Sequence, residues 1–309
     1  MKTLVTGANG FVGRALVAHL RLRGDQVRSA VRAAPGPDQH AVGQIDEETD
    51  WRTALGDCAG VVHLAAHVHR TGDHDEAGAA EYFRVNCAGT LNLARQAVAA
   101  GVRRFVFLSS IKAMGEQGHF APDGACAPAD AYGSSKREAE LGLLAQHARG
   151  GMEVVILRPP LIYGPGVGAN FLRLLEAVDR GRRLPFGALN NRRSLLYLGN
   201  LLDAIFVCLH HPAAARKVYL PKDGADVSTA SLVGALADAL GKPQRMYSLP
   251  QPLLRLAAIC AGRRRQIDKL IGSLTVDNSA MRDDLNWQPP FTLEQGLLET
   301  ARWYRQSTS

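Results

Sequence analysis

The chain has 309 residues, of which 46% are hydrophobic and 21% are charged, as is typical of a soluble globular protein. No apolar run approaches the ~20 residues that span a bilayer, so membrane insertion is not expected. The 36 basic and 29 acidic residues give a net charge of +7, which favours anionic partners. The basic run Arg263–Arg265 has no interleaved aromatic residues, so no nucleic-acid partner is expected.

The cysteines and the N-terminus indicate the compartment. The five cysteines lack any CxxC spacing, which argues against both a metal site and a disulfide framework. The N-terminal MKTLVTGANG enters a glycine pattern directly, unlike a signal peptide. We therefore expect a cytoplasmic protein without a metal.

The first two-thirds of the chain alternates short apolar runs with segments of helical period. The predicted strands are 2–6, 26–31, 60–66, 103–110 and 152–159, and the predicted helices are 11–24, 81–101 and 132–148. Continuous apolar strands that alternate with helices predict an α/β fold, a Rossmann doubly wound parallel sheet covered on both faces.

The rhythm changes after residue 165. A helix is predicted over 169–181, a strand over 192–198 and a helix over 200–211, followed by short strands and helices among many prolines. We expect residues 1–165, together with 190–212, to form the dinucleotide-binding domain. Residues 166–189 and 213–309 are expected to form a smaller C-terminal α/β lobe for the substrate.

A glycine motif, TGANGFVG, follows the first predicted strand and opens the first helix. Gly7 permits a tight turn, Gly10 lets the backbone approach a pyrophosphate, and Gly13 allows the helix and strand to pack closely. The positive end of the helix dipole favours the phosphate charge. In this strand–turn–helix context the motif predicts dinucleotide binding.

The end of the second strand bears on the choice of dinucleotide. An acidic residue there would bind the ribose of NAD, but the chain has Val31 and Arg32. Arg32, helped by Arg14, could pair with a 2′-phosphate, although both arginines could equally be solvated surface charges. The pattern favours NADP(H) and leaves NAD(H) possible.

Tyr132 and Lys136 form a Y-x-x-x-K pair at the start of a predicted helix. One turn apart, the side chains share a face. A neighbouring ammonium is expected to lower the tyrosine pKa, so that the phenol can exchange protons near neutral pH. Together with the glycine motif and the Ser109–Ser110 pair at a strand end, this predicts a redox site.

These motifs, with VVHLAA, VNCAGT, LRPPLIYGPG and DDLNWQPP, resemble the extended short-chain dehydrogenase/reductases that act on nucleotide sugars. The resemblance implies that Tyr132 is the catalytic acid/base, that Lys136 supports it and binds the nicotinamide ribose, and that Ser110 contacts the reacting sugar oxygen. It places Asn86 near the cofactor. The other expected cofactor contacts are Asn9, Phe11, Val12, Ile45, Leu64, Ala65, Ala66, Ser109 and Pro159.

The resemblance also implies a UDP-sugar site. Asn170 and Arg193 match positions that hold the diphosphate, and an arginine fork suits phosphate oxygens. Asn170 could equally be a helix N-cap. Two departures from the family pattern are Met114, where several members have tyrosine, and the stretch from Gln44 to Asp46, where the acidic residue near the adenine is shifted.

Ile111 and Lys112 follow Ser110. Related 4,6-dehydratases have Asp-Glu at these two positions. Relatives that epimerise beside a ketone need a cysteine at the position of Ile111. Hydride chemistry at one sugar carbon remains. Lys112 could contact the sugar or a cofactor phosphate, or be a solvated loop residue. Because Arg32 favours NADPH, the sequence favours a reductase.

The expected substrate is a UDP-linked 4-keto-6-deoxy-N-acetylhexosamine, reduced to UDP-N-acetylquinovosamine or UDP-N-acetylfucosamine for surface polysaccharide. A NAD-dependent UDP-sugar 4-epimerase and a non-catalytic dinucleotide-binding protein are the alternatives. The apolar faces of helices 81–101 and 132–148 resemble those that relatives use to pair, so we expect a homodimer.

Overall fold

The computed structural model describes residues 1–33, 36, 38–68, 76–260, 262 and 264–308. Its main feature is a seven-stranded sheet in the order β3-β2-β1-β4-β5-β7-β10, with every neighbouring pair parallel. These strands are β1 (Lys2–Thr6), β2 (Gln26–Val31), β3 (Gln39–Ala41), β4 (Gly60–His63), β5 (Arg104–Leu108), β7 (Glu153–Leu157) and β10 (Val218–Tyr219). The predicted doubly wound parallel sheet is confirmed.

Helices cover both faces of this sheet. They are α1 (Phe11–Leu22), α2 (Arg52–Leu55), α3 (Glu76–Tyr82), α4 (Gly89–Ala99), α5 (Ala131–Gly150) and α7 (Leu198–His210). The apolar side chains of the strands alternate between two cores, one beneath α1 and α7 and the other beneath α4 and α5. Burial on both faces explains why the strands are continuously apolar.

The strand order reverses between β1 and β4, because the chain runs outward from β1 to β3 and then returns to the other side of β1. Loops that leave the carboxyl ends of neighbouring strands diverge at such a point and leave a crevice there. The glycine motif and Ser109–Ser110 both follow strands of this sheet. The topology therefore brings them to one edge.

A second group of elements forms another apolar core, which contains Phe171, Leu236 and Leu297. The remaining strands are β6 (Gly118–Phe120), β8 (Leu161–Tyr163), β9 (Leu195–Tyr197) and β11 (Leu274–Val276), paired as β8–β9 and β6–β11. The remaining helices are α6 (Ala169–Asp179), α8 (Thr229–Ala239), α9 (Gln251–Cys260), α10 (Arg264–Ile271), α11 (Ser279–Leu285) and α12 (Leu293–Thr308). No helix in the described part of the chain is long and apolar enough to cross a membrane.

Several predicted boundaries were wrong. The strand over 60–66 ends at His63, and the strand over 192–198 is only Leu195–Tyr197, outside the main sheet. The helix over 81–101 begins at Glu76 and contains a π-helical turn, Phe83–Ala88. β10 joins the main sheet from within the range predicted for the smaller lobe. Short strands carry too few residues to show a clear period.

Candidate active site

A cleft of about 800 Å³ lies over the carboxyl edge of the main sheet. Its walls come from the segments that follow β1, β2, β4, β5 and β7, with Tyr132 and Lys136 of α5 at one end and Arg32 at the other. This volume falls in the usual range of small-molecule and cofactor sites, roughly 300–1,000 Å³.

The glycine turn after β1 forms the floor of the cleft. Gly7 has φ +65°, and a Cβ there would lie 2.8 Å from the amide nitrogen of Ala65. A Cβ at Gly13 would lie 2.1 Å from the carbonyl oxygen of Gly7. Both positions therefore exclude any side chain. α1 begins with Gly10 at its N-cap and no side-chain cap, so its first amides can face an anionic group.

A buried hydrogen-bond chain fixes the opposite side of this floor. Thr90 donates its hydroxyl to the Asn86 carbonyl oxygen (2.7 Å) and accepts from His63 Nε2 (2.9 Å). His63 Nδ1 therefore accepts from the Thr6 hydroxyl (2.7 Å), and the imidazole is neutral. The Thr6 oxygen in turn accepts from the amides of Leu64 and Ala65, both at 3.2 Å. Burial lowers the pKa of His63 to about 3, which keeps the ring uncharged.

Ser110, Tyr132 and Lys136 meet at one end of the cleft. Tyr132 hydrogen-bonds to Ser110. Lys136 is almost fully buried, donates to the Leu108 carbonyl oxygen (3.0 Å) and lies 4.5 Å from the centre of the Phe107 ring. The hydroxyls of Ser110 and Tyr132 can therefore contact the same substrate oxygen. The ammonium group of Lys136 lies one helical turn after Tyr132 on α5.

The expected lowering of the Tyr132 pKa is wrong for the protein without its cofactor. Burial raises the pKa of Tyr132 to about 12, although the hydrogen bond with Ser110 lowers it in part and the charge of Asp130 raises it further. Burial also lowers the pKa of Lys136 to about 7, against the opposing effect of Glu140. Lys136 gives the phenol little help because its amine points to Leu108 and its own charge is disfavoured by burial.

Ser109 has a different role from its neighbour. Its hydroxyl donates to Glu140 (2.5 Å), a fully buried carboxylate that also accepts from Arg158 at 2.6 and 2.9 Å and from Arg137 at 3.2 Å. Glu140 lies one turn after Lys136 on α5. This pairing locks α5 to the ends of β5 and β7, so Ser109 lines the cleft while its hydroxyl holds the scaffold.

The other end of the cleft is open. Arg32 is exposed at the end of β2, beside Gln44 and Ile45. Arg14 donates to the Asn9 carbonyl oxygen (3.0 Å) and does not line the cleft. The shifted Asp46 pairs with Arg84 (2.9 Å). Arg32 is therefore the charged side chain at the end of β2 itself, while Glu81, which accepts from Gln44 at 3.4 Å, also lines the cleft.

Most of the predicted cofactor residues line the cleft. They are Gly7, Asn9, Gly10, Phe11, Val12, Gly13, Arg32, Ile45, Leu64, Ala65, Ala66, Ser109, Tyr132, Lys136 and Pro159. Asn86 is the exception, because it is fully buried behind the wall. Its side chain accepts from the His67 amide (2.7 Å) and donates to the His67 carbonyl (3.0 Å) and to Ser135 (3.1 Å). It therefore shapes the wall from behind.

Three predicted substrate residues lie outside the cleft lining. Lys112 forms ion pairs with Asp130 and Glu116. Asn170 is exposed in the first turn of α6, whose N-cap is Gly168 without a side-chain cap, so the N-cap interpretation is wrong. Arg193 is half-buried and donates to the Gly272 carbonyl (3.1 Å), which fixes one arm of its guanidinium.

Several cleft residues had no signal in the sequence. His67, Val68, Glu81 and Val85 line the cleft, and the buried Tyr82 packs edge-on against Tyr132 with ring centres 6.1 Å apart. His67 and Val68 lie in the loop after β4, Glu81 and Tyr82 end α3, and Val85 lies in the π-helical turn that follows. Both features shift residues away from regular periodicity.

No group of three or more His, Cys, Asp or Glu side chains within the described ranges could hold a metal ion. Arg263 of the basic run lies outside the described residues.

The architecture and the motifs agree with known proteins. The model of the NAD dependent epimerase/dehydratase family matches residues 3–220. A UDP-glucose 4-epimerase from Vibrio cholerae is 44% identical over 99% of this chain and 96% of its own length. An N-acetyl-α-D-glucosaminyl-diphospho-ditrans,octacis-undecaprenol 4-epimerase from Escherichia coli O157:H7 is 28% identical, with 97% and 94% coverage.

A solved structure of MoeE5 in complex with UDP-glucose and NAD superimposes with a TM-score of 0.79 at 27% identity and covers 100% of both chains. The cleft fits a dinucleotide, since Gly7 and Gly13 leave no room for a side chain and the N-terminus of α1 is uncapped. The family match covers most of the chain, and the 44% identity extends over nearly all of it. The chain is therefore an enzyme of the NAD dependent epimerase/dehydratase family, the extended short-chain dehydrogenase/reductases.

Proposed function

We propose that this protein is an NAD-dependent 4-epimerase of a UDP-linked hexose. The carrying observation is the cluster of Ser110, Tyr132 and Lys136 at one end of the cleft, followed by Ile111 and Lys112. The relative at 44% identity supports epimerase chemistry. The MoeE5 complex supports NAD and a UDP-sugar as ligands.

The residues suit proton and hydride exchange at one carbon. Tyr132 accepts the proton of the sugar hydroxyl as the carbinol is oxidised and returns it when the ketone is reduced. Ser110, already hydrogen-bonded to Tyr132, orients that oxygen. NAD, when bound, would supply the hydride acceptor, and the positive charge of its nicotinamide ring would lower the pKa of a nearby phenol. Lys136 would hold the ribose of the nicotinamide, with the glycine turn at the pyrophosphate.

The residues after Ser110 argue against elimination. Ile111 is buried, and the ammonium of Lys112 is engaged by Asp130 and Glu116. Neither residue can act as an acid or base beside the sugar. A 4-epimerase needs no such group, because the same tyrosine serves both half-reactions.

A second candidate is the reduction of a UDP-linked 4-keto-6-deoxy-N-acetylhexosamine, with NADPH as the hydride donor, in polysaccharide synthesis. The exposed Arg32 at the end of β2 favours it, because a guanidinium suits a 2′-phosphate. The relatives and the solved structure described above give NADPH no support, so NAD(H) is the cofactor that we propose.

The sugar nucleotide would extend from Tyr132 towards the smaller lobe. We propose that Asn170 and Arg193 hold its diphosphate. Asn170 is exposed on the uncapped first turn of α6, which favours an anion, and Arg193 keeps one arm of its guanidinium tied to the Gly272 carbonyl. On this proposal, residues 1–165 with 190–212 carry the cofactor, and 166–189 with 213–309 carry the substrate, apart from β10.

Subunit pairing and location complete the proposal. Phe83 on the π-helical turn and Leu141 on α5 expose large apolar side chains, which supports a homodimer formed through these helices. Sedimentation of the wild type and of Leu141→Asp tests the dimer, because the variant should sediment as a monomer.

All five cysteines are free thiols, which supports a reducing, cytoplasmic setting.

One experiment separates the two candidate reactions. Purified protein loaded with NAD is incubated with UDP-glucose or UDP-N-acetylglucosamine without further cofactor, and the sugars are resolved by NMR. We expect conversion to the galacto isomer, and loss of that conversion in Tyr132→Phe. In parallel, the 4-keto sugar is mixed with NADH or NADPH. Stoichiometric consumption of NADPH without any epimer in the first assay would replace the epimerase with the reductase.

A further inference from the structure

Lys112 lies in the short 3₁₀ turn Ile111–Ala113 that follows Ser110, outside the lining of the cleft. About a quarter of its side chain is exposed. Its ammonium contacts Asp130 and lies 3.3 Å from Glu116. It also lies 5.7 Å from the centre of the Tyr132 ring. The lysine therefore stands beside the catalytic cluster, outside the cleft lining.

Asp130 is the N-cap of α5, the helix that carries Tyr132. One of its carboxylate oxygens accepts from the Gly133 amide (2.7 Å), and the other accepts from the ammonium of Lys112. The Lys112 amide also donates to the Ser110 hydroxyl oxygen (3.2 Å). One residue thus reaches Ser110 through its backbone and the cap of the tyrosine helix through its side chain.

The backbones meet at the same place. A Cβ at Gly133 would lie 2.4 Å from the Lys112 carbonyl oxygen, so the first turn of α5 is in contact with the serine loop. The distance between the two catalytic hydroxyls depends on this contact. The ion pair between Lys112 and Asp130 adds an attachment at the first turn of α5, beyond the bond between Ser109 and Glu140 farther along the helix.

The charges add a second effect. The carboxylate of Asp130 raises the pKa of Tyr132. The ammonium of Lys112 offsets that carboxylate and also faces the aromatic ring. Glu116 is shared, because Lys269 of α10 lies 3.1 Å from it. In a variant without Lys112, Glu116 would therefore keep its ion pair with Lys269. Asp130 would lose its ion pair with Lys112.

We propose that Lys112 is a positioning residue for Tyr132: it clamps the N-cap of α5 to the serine loop and neutralises Asp130 beside the phenol. This inference rests on the proposed function, since it assigns a supporting residue to the same acid/base. It differs from the contact between Lys112 and the sugar that the sequence suggested. A clamp changes kcat and its pH dependence through Tyr132, whereas a sugar contact changes the affinity for the substrate.

The test compares Lys112→Met, Lys112→Arg and the matched control Lys269→Met in the full-length protein loaded with NAD. In Lys112→Met we expect kcat near pH 7 to fall about tenfold and KM to stay within about twofold of the wild type. The acidic limb of the pH profile should move upward by about one pH unit, because the ammonium that lies 5.7 Å from the centre of the Tyr132 ring and pairs with Asp130 is lost. Lys112→Arg should restore the profile, and Lys269→Met should keep it. A rise in KM alone would overturn the proposal in favour of a sugar contact.

A readout without turnover separates this inference from the proposed function. The Tyr132 phenol is titrated by NMR with ¹³C at tyrosine Cζ in the NAD-loaded protein, and its signal is assigned with Tyr132→Phe. We expect a higher midpoint in Lys112→Met and an unchanged one in Lys269→Met, with thermal unfolding confirming that both variants fold. A shifted midpoint without activity on any UDP-sugar would refute the 4-epimerase and keep the clamp. An unshifted midpoint in an active enzyme would overturn the clamp alone.

Discussion

The two ends of the cleft are built differently. At the α5 end, each reactive group is held by buried partners: Lys136 by the Leu108 carbonyl, and the helix itself by Glu140 and Arg158. At the β2 end, Arg32 is exposed, and the Gln44 amide makes only a long hydrogen bond, 3.4 Å, to Glu81. The contrast indicates that chemistry needs fixed geometry, whereas the choice of dinucleotide can rest on one surface charge.

The largest effect is expected at the α5 end, from Tyr132→Phe. Loss of the phenol removes the proton-transfer group, and general acid–base catalysis contributes roughly 10²- to 10⁴-fold. We expect kcat to fall by that factor while NAD binding, measured by calorimetry, stays unchanged. A variant that keeps more than a tenth of wild-type kcat would show that another group moves the proton.

The next largest effect is expected on stability, from the buried ion pair between Glu140 and Arg158 that supports the α5 end. Glu140→Gln leaves the buried Arg158 without a charged partner, and breaking a buried ion pair costs ~3–5 kcal/mol. Glu299→Gln is a matched control, because its partner Arg302 is exposed and such pairs contribute ~1 kcal/mol at most. Urea unfolding measures both. Equal losses in the two variants would contradict the role that we assign to Glu140.

The floor between the two ends predicts a pH dependence. The pKa of His63 is lowered to about 3, below its ordinary 6.5, so the unfolded chain binds a proton that the folded protein refuses. The free energy of unfolding should therefore fall as the pH drops from 6.5 towards 3. His63→Gln should remove this part of the slope, as seen by urea titrations at several pH values. An identical slope in the variant would place the acid sensitivity elsewhere.

The smallest effect is expected at the β2 end. Arg32→Ala removes one exposed cation, so NADPH affinity should weaken by about tenfold or less while NAD affinity changes little. Calorimetry with both dinucleotides measures the ratio. Unchanged affinities for both would remove the observation that favours the reductase.

The sequence predicted best where the chemistry is local. The glycines after β1 and the Tyr132–Lys136 spacing depend on contacts within one turn, and the structure brings them to one cleft. The sequence did not predict hydrogen bonds between residues that are far apart along the chain. Nothing near Ser109 in the chain shows that its hydroxyl bonds to Glu140, and nothing near Asn86 shows that it holds His67 from behind.

The choice of reaction shows another limit. Arg32 in a sequence favours NADPH and hence a reductase, but an exposed arginine costs the protein nothing when the 2′-phosphate is absent. The expected lowering of the Tyr132 pKa by Lys136 was wrong for a different reason. The four-residue spacing correctly put Tyr132 and Lys136 on one face of the helix. Burial, however, raises the pKa of Tyr132 and lowers that of Lys136, so both groups favour their neutral forms.

The π-helical turn Phe83–Ala88 bears on how the chain length can change. A π-helical turn holds one residue more than the α-helical winding on either side of it, so deleting one residue here would restore α winding with little rotation of the flanking helices. Tyr82, which precedes the turn, should keep its contact with Tyr132, whereas the side chains within the turn would change direction, among them Asn86, which holds His67. A single-residue deletion should therefore act through Asn86, whereas a substitution at the partly exposed Phe83 should act on the proposed subunit contact.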